Sequence, residues 1–241
     1  MAFLHDYSGA SFSTLLQREY PEQVPRPVAL PAGTSLVHGT TICAMTYTDG
    51  VVIGGDKRAT IDGHVIMSDD VTKVYKVDDY SAMAIAGTFG PSVKMARLFQ
   101  VELEHYEKME GVQLTMEGKA NRLSQLIEQN FPAAMQGLLV MPLYAGYDLD
   151  VKRGRIFEYD VTGGTFTRAQ HEPFATSGSG GDRARSTFEH FYRPGMAKDT
   201  AVALIKQALE FASRKDTATG GLYSIIMAIS ADGVEEFRTE A

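Results

Sequence analysis

The sequence predicts an α+β fold of two sheets, each covered by a pair of helices. Its segments follow one another in blocks: strands, two helices, strands, two helices, strands. The strand-like runs are joined by short Asp and Gly turns, the mark of hairpins. With 241 residues and 44% hydrophobic content the chain suits one sizeable core. Two helix-covered sheets would bury every apolar face that this order creates.

The first 39 residues stand apart from the rest. Ser11 to Tyr20 suits one short helix, and Pro21, Pro25, Pro27 and Pro31 follow it, four of the nine prolines in the chain. Such spacing favours an extended segment with little packing. A boundary is expected between Pro31 and Thr40, with residues 1–39 as a leader or arm and 40–241 as the folded domain.

From Thr40 the strand pattern begins. Thr40–Tyr47 and Val51–Gly55 flank Asp49-Gly50, a hairpin signal because both residue types tolerate positive φ. Lys73–Val77 and Ser81–Thr88 form a second pair around Asp78-Asp79. Pro91 then suits the first turn of a helix running to about Gly111, with Val93, Ala96, Leu103, Tyr106 and Met109 as its buried positions. A second helix is expected from Thr115, as its cap, to Phe131. Strands return over Leu138–Leu149, Arg155–Val161 and Thr165–Arg168. Helices follow at Asp182–Tyr192 and Thr200–Arg214. Leu222–Ser230, the turn Ala231-Asp232-Gly233 and Val234–Phe237 close the chain.

Bulk properties exclude several classes of function. The net charge of −7 carries no basic run, so there is no footprint for nucleic acid or an anionic membrane surface. No window approaches the roughly 18 apolar residues of a membrane span, and the N-terminus lacks a signal-peptide pattern. A soluble, cytoplasmic protein is expected. The single Cys43 sits in an apolar run and reads as a small buried hydrophobe. The six histidines, at 5, 38, 64, 105, 171 and 190, include no i, i+4 pair, which argues against zinc. No metal and no cofactor is expected.

Chemistry concentrates at His38-Gly39-Thr40-Thr41-Ile42. A threonine freed as an N-terminus is a competent nucleophile because its own α-amine serves as base. That amine has an unperturbed pKa of roughly 7.7 to 8.0. Gly39 offers the backbone freedom to bring the Thr40 hydroxyl onto the preceding carbonyl. Asp56 ends the second strand and Lys73 opens the third. A buried Lys73 held by Asp56 would lower the proton affinity of a nearby hydroxyl and amine, although a turn cap and a solvated strand end are the plainer readings. Ile85-Ala86-Gly87-Thr88 leads into a helix N-terminus, where N–H groups can stabilise an oxyanion. Thr176-Ser177-Gly178-Ser179-Gly180-Gly181 lacks the third glycine of a dinucleotide loop and the Gly-Lys-Ser/Thr ending of a phosphate loop. It also fails the Gly-x-Ser-x-Gly elbow.

In order along the chain, Gly39-Thr40-Thr41-Ile42, Gly55-Asp56, Lys73, Ala86-Gly87-Thr88, Gly178-Ser179-Gly180 and Asp216-x-x-Thr219-Gly220-Gly221 resemble the proteasome β subunits. Val101 to Lys108 and Gln136-Gly137-Leu138-Leu139 are most similar to the bacterial, actinobacterial type. The resemblance implies the four-layer α-β-β-α sandwich of N-terminal nucleophile hydrolases and a threonine endopeptidase, with residues 1–39 a propeptide removed by cleavage between Gly39 and Thr40. It implies Thr40 as nucleophile and base, Lys73 as the group lowering its pKa, Asp56 as the partner of Lys73, and the Gly87 N–H as oxyanion donor. Ser179, Asp216 and Thr219 would hold the amine and a water. Ala59, Val71, Ile85 and Phe89 would line the substrate pocket, with Thr60 pairing the substrate backbone.

The implied partners are proteasome α subunits and other β subunits in an α7β7β7α7 assembly, an ATPase ring, and unfolded protein substrates. Two departures stand out: one extra residue between Asp56 and Lys73, and a short segment after Gly221. The bacterial two-component heat-shock peptidase shares the Thr-Thr start, but its leader is usually very short. A non-catalytic ring subunit would have no reason to keep Gly39, Thr40, Asp56 and Lys73 together. An amidase of the same fold acting on small molecules would differ by lacking ring assembly.

Overall fold

The computed structural model describes residues 39–61, 65–167 and 172–240, with the side chains of 239 and 240 excepted. The chain divides after Thr34. The expected helix at 11–20, the proline-rich stretch, His38 and the end of the Thr165–Arg168 strand lie outside the described residues.

The element order is β1 (Thr41–Tyr47), β2 (Gly50–Gly55), β3 (Ala59–Ile61), β4 (Val65–Ser68), β5 (Val74–Asp78), β6 (Ser81–Gly87), α1 (Phe89–Glu110), α2 (Met116–Ala134), β7 (Val140–Asp148), β8 (Arg153–Tyr159), β9 (Thr165–Thr167), β10 (Phe174–Gly178), α3 (Gly181–Phe191), α4 (Lys198–Ser213), β11 (Tyr223–Ser230) and β12 (Gly233–Glu240). One sheet runs β10-β1-β2-β11-β12 and the other β5-β6-β7-β8-β9, both antiparallel. The small β3–β4 hairpin stands beside them.

Alternation along the strands explains the four layers. In β1, Ile42 and Ala44 face the space between the sheets, while Cys43, Met45 and Tyr47 face α3 and α4. In β6, Ala82, Ala84 and Ala86 face the first sheet, and Met83 and Ile85 face α1 and α2. Small residues on the inner face of β6 let the sheets approach. Larger ones fill the helix layer, where Phe99 of α1 meets Tyr144 of β7 edge-on at 5.6 Å. This is the four-layer α-β-β-α sandwich.

The helix termini follow their local chemistry. Thr115 caps α2 by accepting from the Gly118 N–H at 3.1 Å, and Gly111 ends α1 in a left-handed conformation. Pro91 lies in the first turn of α1, as its missing N–H requires.

Some expectations fail for identifiable reasons. Tyr106 and Met109 are exposed, not buried. A helix of 22 residues is about 33 Å long, whereas the seven residues of β6 span about 24 Å, so the last turns of α1 outrun their sheet. The β1–β2 hairpin forms as expected, but not because of positive φ, which neither Asp49 nor Gly50 adopts. Gly50 is needed because a Cβ there would run into the Ile229 carbonyl. Phe174–Gly178, where no strand is expected from the sequence, forms β10, an edge strand paired with β1. The β3–β4 hairpin was not foreseen. It carries a bulge at Met67, between pairs Ala59↔Ser68 and Thr60↔Ile66, and such a bulge absorbs an extra residue between Asp56 and Lys73.

Replacing the fully buried Phe99 by Ala removes the ring that joins α1 to β7. Denaturant unfolding of the chain should show a loss of about 3–5 kcal/mol. A loss below about 1 kcal/mol would mean that this core repacks freely.

Candidate active site

Thr40 immediately precedes β1, and the strand register decides its neighbours. On one side β1 pairs with β10, Thr41 opposite Gly178, so Ser179 comes alongside Thr40. On the other side Ile42 pairs with Gly55, which delivers Asp56 to Thr41. Lys73 arrives from the second sheet, where its carbonyl accepts from the Ile85 N–H at 2.9 Å just ahead of β5. Thr40, Asp56 and Lys73 are all buried. The two sheets thus meet at one end of the sandwich through three polar side chains.

Asp56 is saturated with donors. Its Oδ1 accepts from the Thr41 N–H at 2.9 Å and Lys73 Nζ at 2.8 Å. Its Oδ2 accepts from the backbone N–H groups of Arg58 and Gly220, both at 3.0 Å. The Lys73 ammonium has three protons and three acceptors: Asp56 Oδ1, the Arg58 carbonyl at 2.5 Å and the Gly39 carbonyl at 3.4 Å. Burial pushes the Lys73 ammonium below the ordinary lysine range, against the attraction of Asp56. Burial likewise pushes the Asp56 carboxyl up, opposed by Lys73 and the backbone donors from Thr41 and Gly220.

The Thr40 hydroxyl donates to the Gly39 carbonyl oxygen at 2.7 Å. Hydroxyl and ammonium therefore converge on one carbonyl oxygen. The Thr40 N–H donates to Ser179 Oγ at 3.2 Å, and Ser179 donates to Asp216 Oδ2 at 2.5 Å. Thr219 Oγ1 donates to the same Asp216 oxygen at 2.6 Å and lies 2.7 Å from Thr41 Oγ1. Burial opposes ionisation of Asp216, but the Ser179 and Thr219 hydroxyls and the Ala218 N–H outweigh it and hold the carboxyl below its ordinary value.

A cleft opens beside these groups, lined by Gly39, Thr40, Lys73, Gly87 and four of the expected pocket residues, Ala59, Val71, Ile85 and Phe89. Gly87 ends β6 with φ near 122°, a conformation suited to glycine. Thr60 is buried on β3 and lies outside that lining.

Sequence reasoning missed several participants. Arg58, Thr72, Tyr75 and Ser92 also line the cleft. Arg58 Nε donates to Asp69 at 2.7 Å and its Nη1 to the Thr217 carbonyl at 3.3 Å, tying the segment before Lys73 to the turn around Asp216. The buried Lys57 pairs with Asp70 and donates to Tyr223 Oη at 2.8 Å. Thr41 reaches Thr219 because alternation turns it away from Ile42; the doubled threonine was its only trace in the sequence.

Cys43 is fully enclosed, and burial pushes its thiol far up, so it is no nucleophile. Among the described residues no three His, Cys, Asp or Glu side chains converge on a metal site. No described helix is long and apolar enough to cross a membrane.

Comparison with known proteins gives this geometry a family. A model of the proteasome subunit family matches residues 36–228. The chain is 46% identical over 233 residues to the proteasome subunit beta of Streptomyces griseus, covering 93% of this chain and 82% of that protein. It is 45% identical to the proteasome subunit beta of Acidimicrobium ferrooxidans, covering 95% and 84%, and equally so to that of Rhodococcus erythropolis, with the same coverage. By sequence, by four-layer fold and by relatedness over most of its length, this chain belongs to the proteasome subunit family.

Proposed function

We propose that this chain is the precursor of a threonine endopeptidase subunit of a proteasome core particle, activated by cleavage of its own Gly39–Thr40 bond. The observation that carries this reading is the convergence of the Thr40 hydroxyl and the Lys73 ammonium on the Gly39 carbonyl oxygen. In self-cleavage Thr40 Oγ1 attacks the Gly39 carbonyl carbon. The C–N bond breaks, the nitrogen takes up a proton, and Gly39 is left as an ester on Thr40. Water then hydrolyses that ester, releasing residues 1–39 with a carboxylate and Thr40 with its hydroxyl and a free α-amine.

The same groups serve peptide substrates. The α-amine takes the hydroxyl proton as Oγ1 attacks a substrate carbonyl, an ester forms, the leaving amine departs with a proton, and water regenerates Thr40. Lys73, fixed by Asp56, lowers the proton affinity of amine and hydroxyl alike. The Gly87 N–H, at the exit of β6 on the cleft lining, stabilises the oxyanion. Ser179, Asp216 and Thr219 orient the amine. Ala59, Val71, Ile85 and Phe89 receive an apolar side chain before the scissile bond, and Thr60 pairs the substrate backbone. This chemistry runs on the chain's own groups and water and calls for no cofactor.

The relatives' name, proteasome subunit beta, supports a multi-subunit assembly, and the resemblance of the motifs suggests its form. The subunit assembles with α subunits and other β subunits in stacked heptameric rings in the cytoplasm, and unfolded chains reach the chamber through an ATPase ring.

Co-expression with an α-subunit partner should yield a mature N-terminus at Thr40 by intact mass. Thr40→Ala should keep residues 1–39 attached and abolish peptidase activity; any other N-terminus, or residual cleavage, would sink the reading. Lys73→Ala should slow both reactions by about 100- to 1,000-fold.

The pH profile offers a second check. Because Lys73 titrates below the ordinary lysine value of about 10.4, its charge is lost as pH rises through that lowered pKa. The alkaline limb of kcat/KM for the assembled enzyme should therefore fall below pH ~10.4. The acid limb should report the Thr40 amine, at or below about 8.

Asp216 has the opposite sense. Its ionised form contributes stability above the unfolded pKa of about 3.9, and that contribution is lost as pH falls through the depressed folded value. Asp216→Asn should flatten the acid limb of stability below about pH 4, followed by acid unfolding; an unchanged limb would remove Asp216 as an anion.

A further inference from the structure

Residue 39 stands directly before the bond proposed to break, and its surroundings decide what can stand there. A Cβ added to Gly39 would overlap the Ala218 side-chain carbon, with Ala218 Cα at 2.8 Å and its carbonyl carbon at 3.1 Å. Its three nearest neighbours all belong to Ala218, so a side chain at 39 would be driven into the turn after Asp216. The cleft residues Ala59, Val71 and Ile85 are not among them. Space alone therefore demands glycine here, beside the backbone freedom that brings the Thr40 hydroxyl onto the Gly39 carbonyl.

The wall cannot easily retreat. Ala218 is buried, and its N–H donates to Asp216 Oδ1 at 3.2 Å. The Thr219 N–H donates to the Asp216 carbonyl at 3.1 Å, and Arg58 holds the Thr217 carbonyl. On its other side the Gly39 carbonyl oxygen is held by Thr40 Oγ1 and Lys73 Nζ. The peptide unit is wedged between a fixed methyl group and a fixed ammonium.

We propose that Ala218 is a specificity-determining residue for self-cleavage: its methyl group admits only glycine before Thr40 in the precursor. Substrates are selected elsewhere, by the apolar cleft, so maturation and digestion obey different side-chain rules on one nucleophile. The inference rests on the reading that this chain cleaves Gly39–Thr40.

The test is a maturation time course by intact mass on the full chain, co-expressed with its α partner. Gly39→Ala should slow release of residues 1–39 by at least tenfold. Adding Ala218→Gly to that variant should raise the rate again, in part only, because the Cα at 2.8 Å remains. Ala218→Gly alone should still mature, which shows that the turn still forms. In a series of Ala, Ser and Val at position 39, the rate should fall with side-chain size less steeply when 218 is glycine.

A wild-type chain that never exposes Thr40 would overturn the proposed function itself. If the wild-type chain matures, three results overturn this inference alone: Gly39→Ala maturing at the wild-type rate, the double variant gaining nothing over Gly39→Ala, or Ala218→Gly failing to mature.

Discussion

The ion pair between Lys73 and Asp56 is the constraint on which the rest of the site depends. Two charges buried at the end of a sandwich carry a desolvation cost of several kcal/mol each. That cost is met because neither group has an idle hydrogen-bonding position: the carboxylate accepts four bonds and the ammonium donates three. The four donors to the carboxylate come from four different stretches of chain. Thr41 belongs to β1, Arg58 follows β2, Gly220 precedes β11, and Lys73 enters from the other sheet. One pair thereby fixes four segments, and the sheets' relative placement is registered at the site where it matters.

Much of this was legible in the residues, and the reason is locality. The Thr115 cap, the proline in the first turn of α1, the hairpins and the order of elements all depend on neighbours a few positions apart. Asp56 and Lys73 were legible as candidates because strand ends place side chains predictably. Their burial was not, since it depends on two sheets closing over each other. The same limit hid β10: Phe174–Gly178 is rich in turn-forming residues and becomes a strand because β1 offers it an edge. Tyr106 and Met109 fit the helical period but lie beyond the sheet that the period was taken to face.

The cleft residues divide in the same way. Ala59, Val71, Ile85 and Phe89 were assigned through resemblance, and the folded chain brings all four together beside Thr40. Arg58, Tyr75 and Ser92 had no sequence signal, because a basic residue after a strand, a tyrosine within one and a serine in the first turn of a helix are ordinary. Only the convergence of three elements makes them neighbours. Ala218 is the extreme case, a residue without a functional group whose position alone gives it consequence.

The third acceptor of Lys73 has an implication of its own. Two of its acceptors, Asp56 and the Arg58 carbonyl, are permanent parts of the domain; the Gly39 carbonyl belongs to the bond proposed to break. Once that bond is cut and residues 1–39 leave, the ammonium retains two acceptors and has one proton without its former partner, at the moment a new amine appears beside it. The site is thus a latch that discards its own third pin. The precursor, with all three in place, is the better-satisfied arrangement of the lysine, and the mature site is the one with a donor to spare.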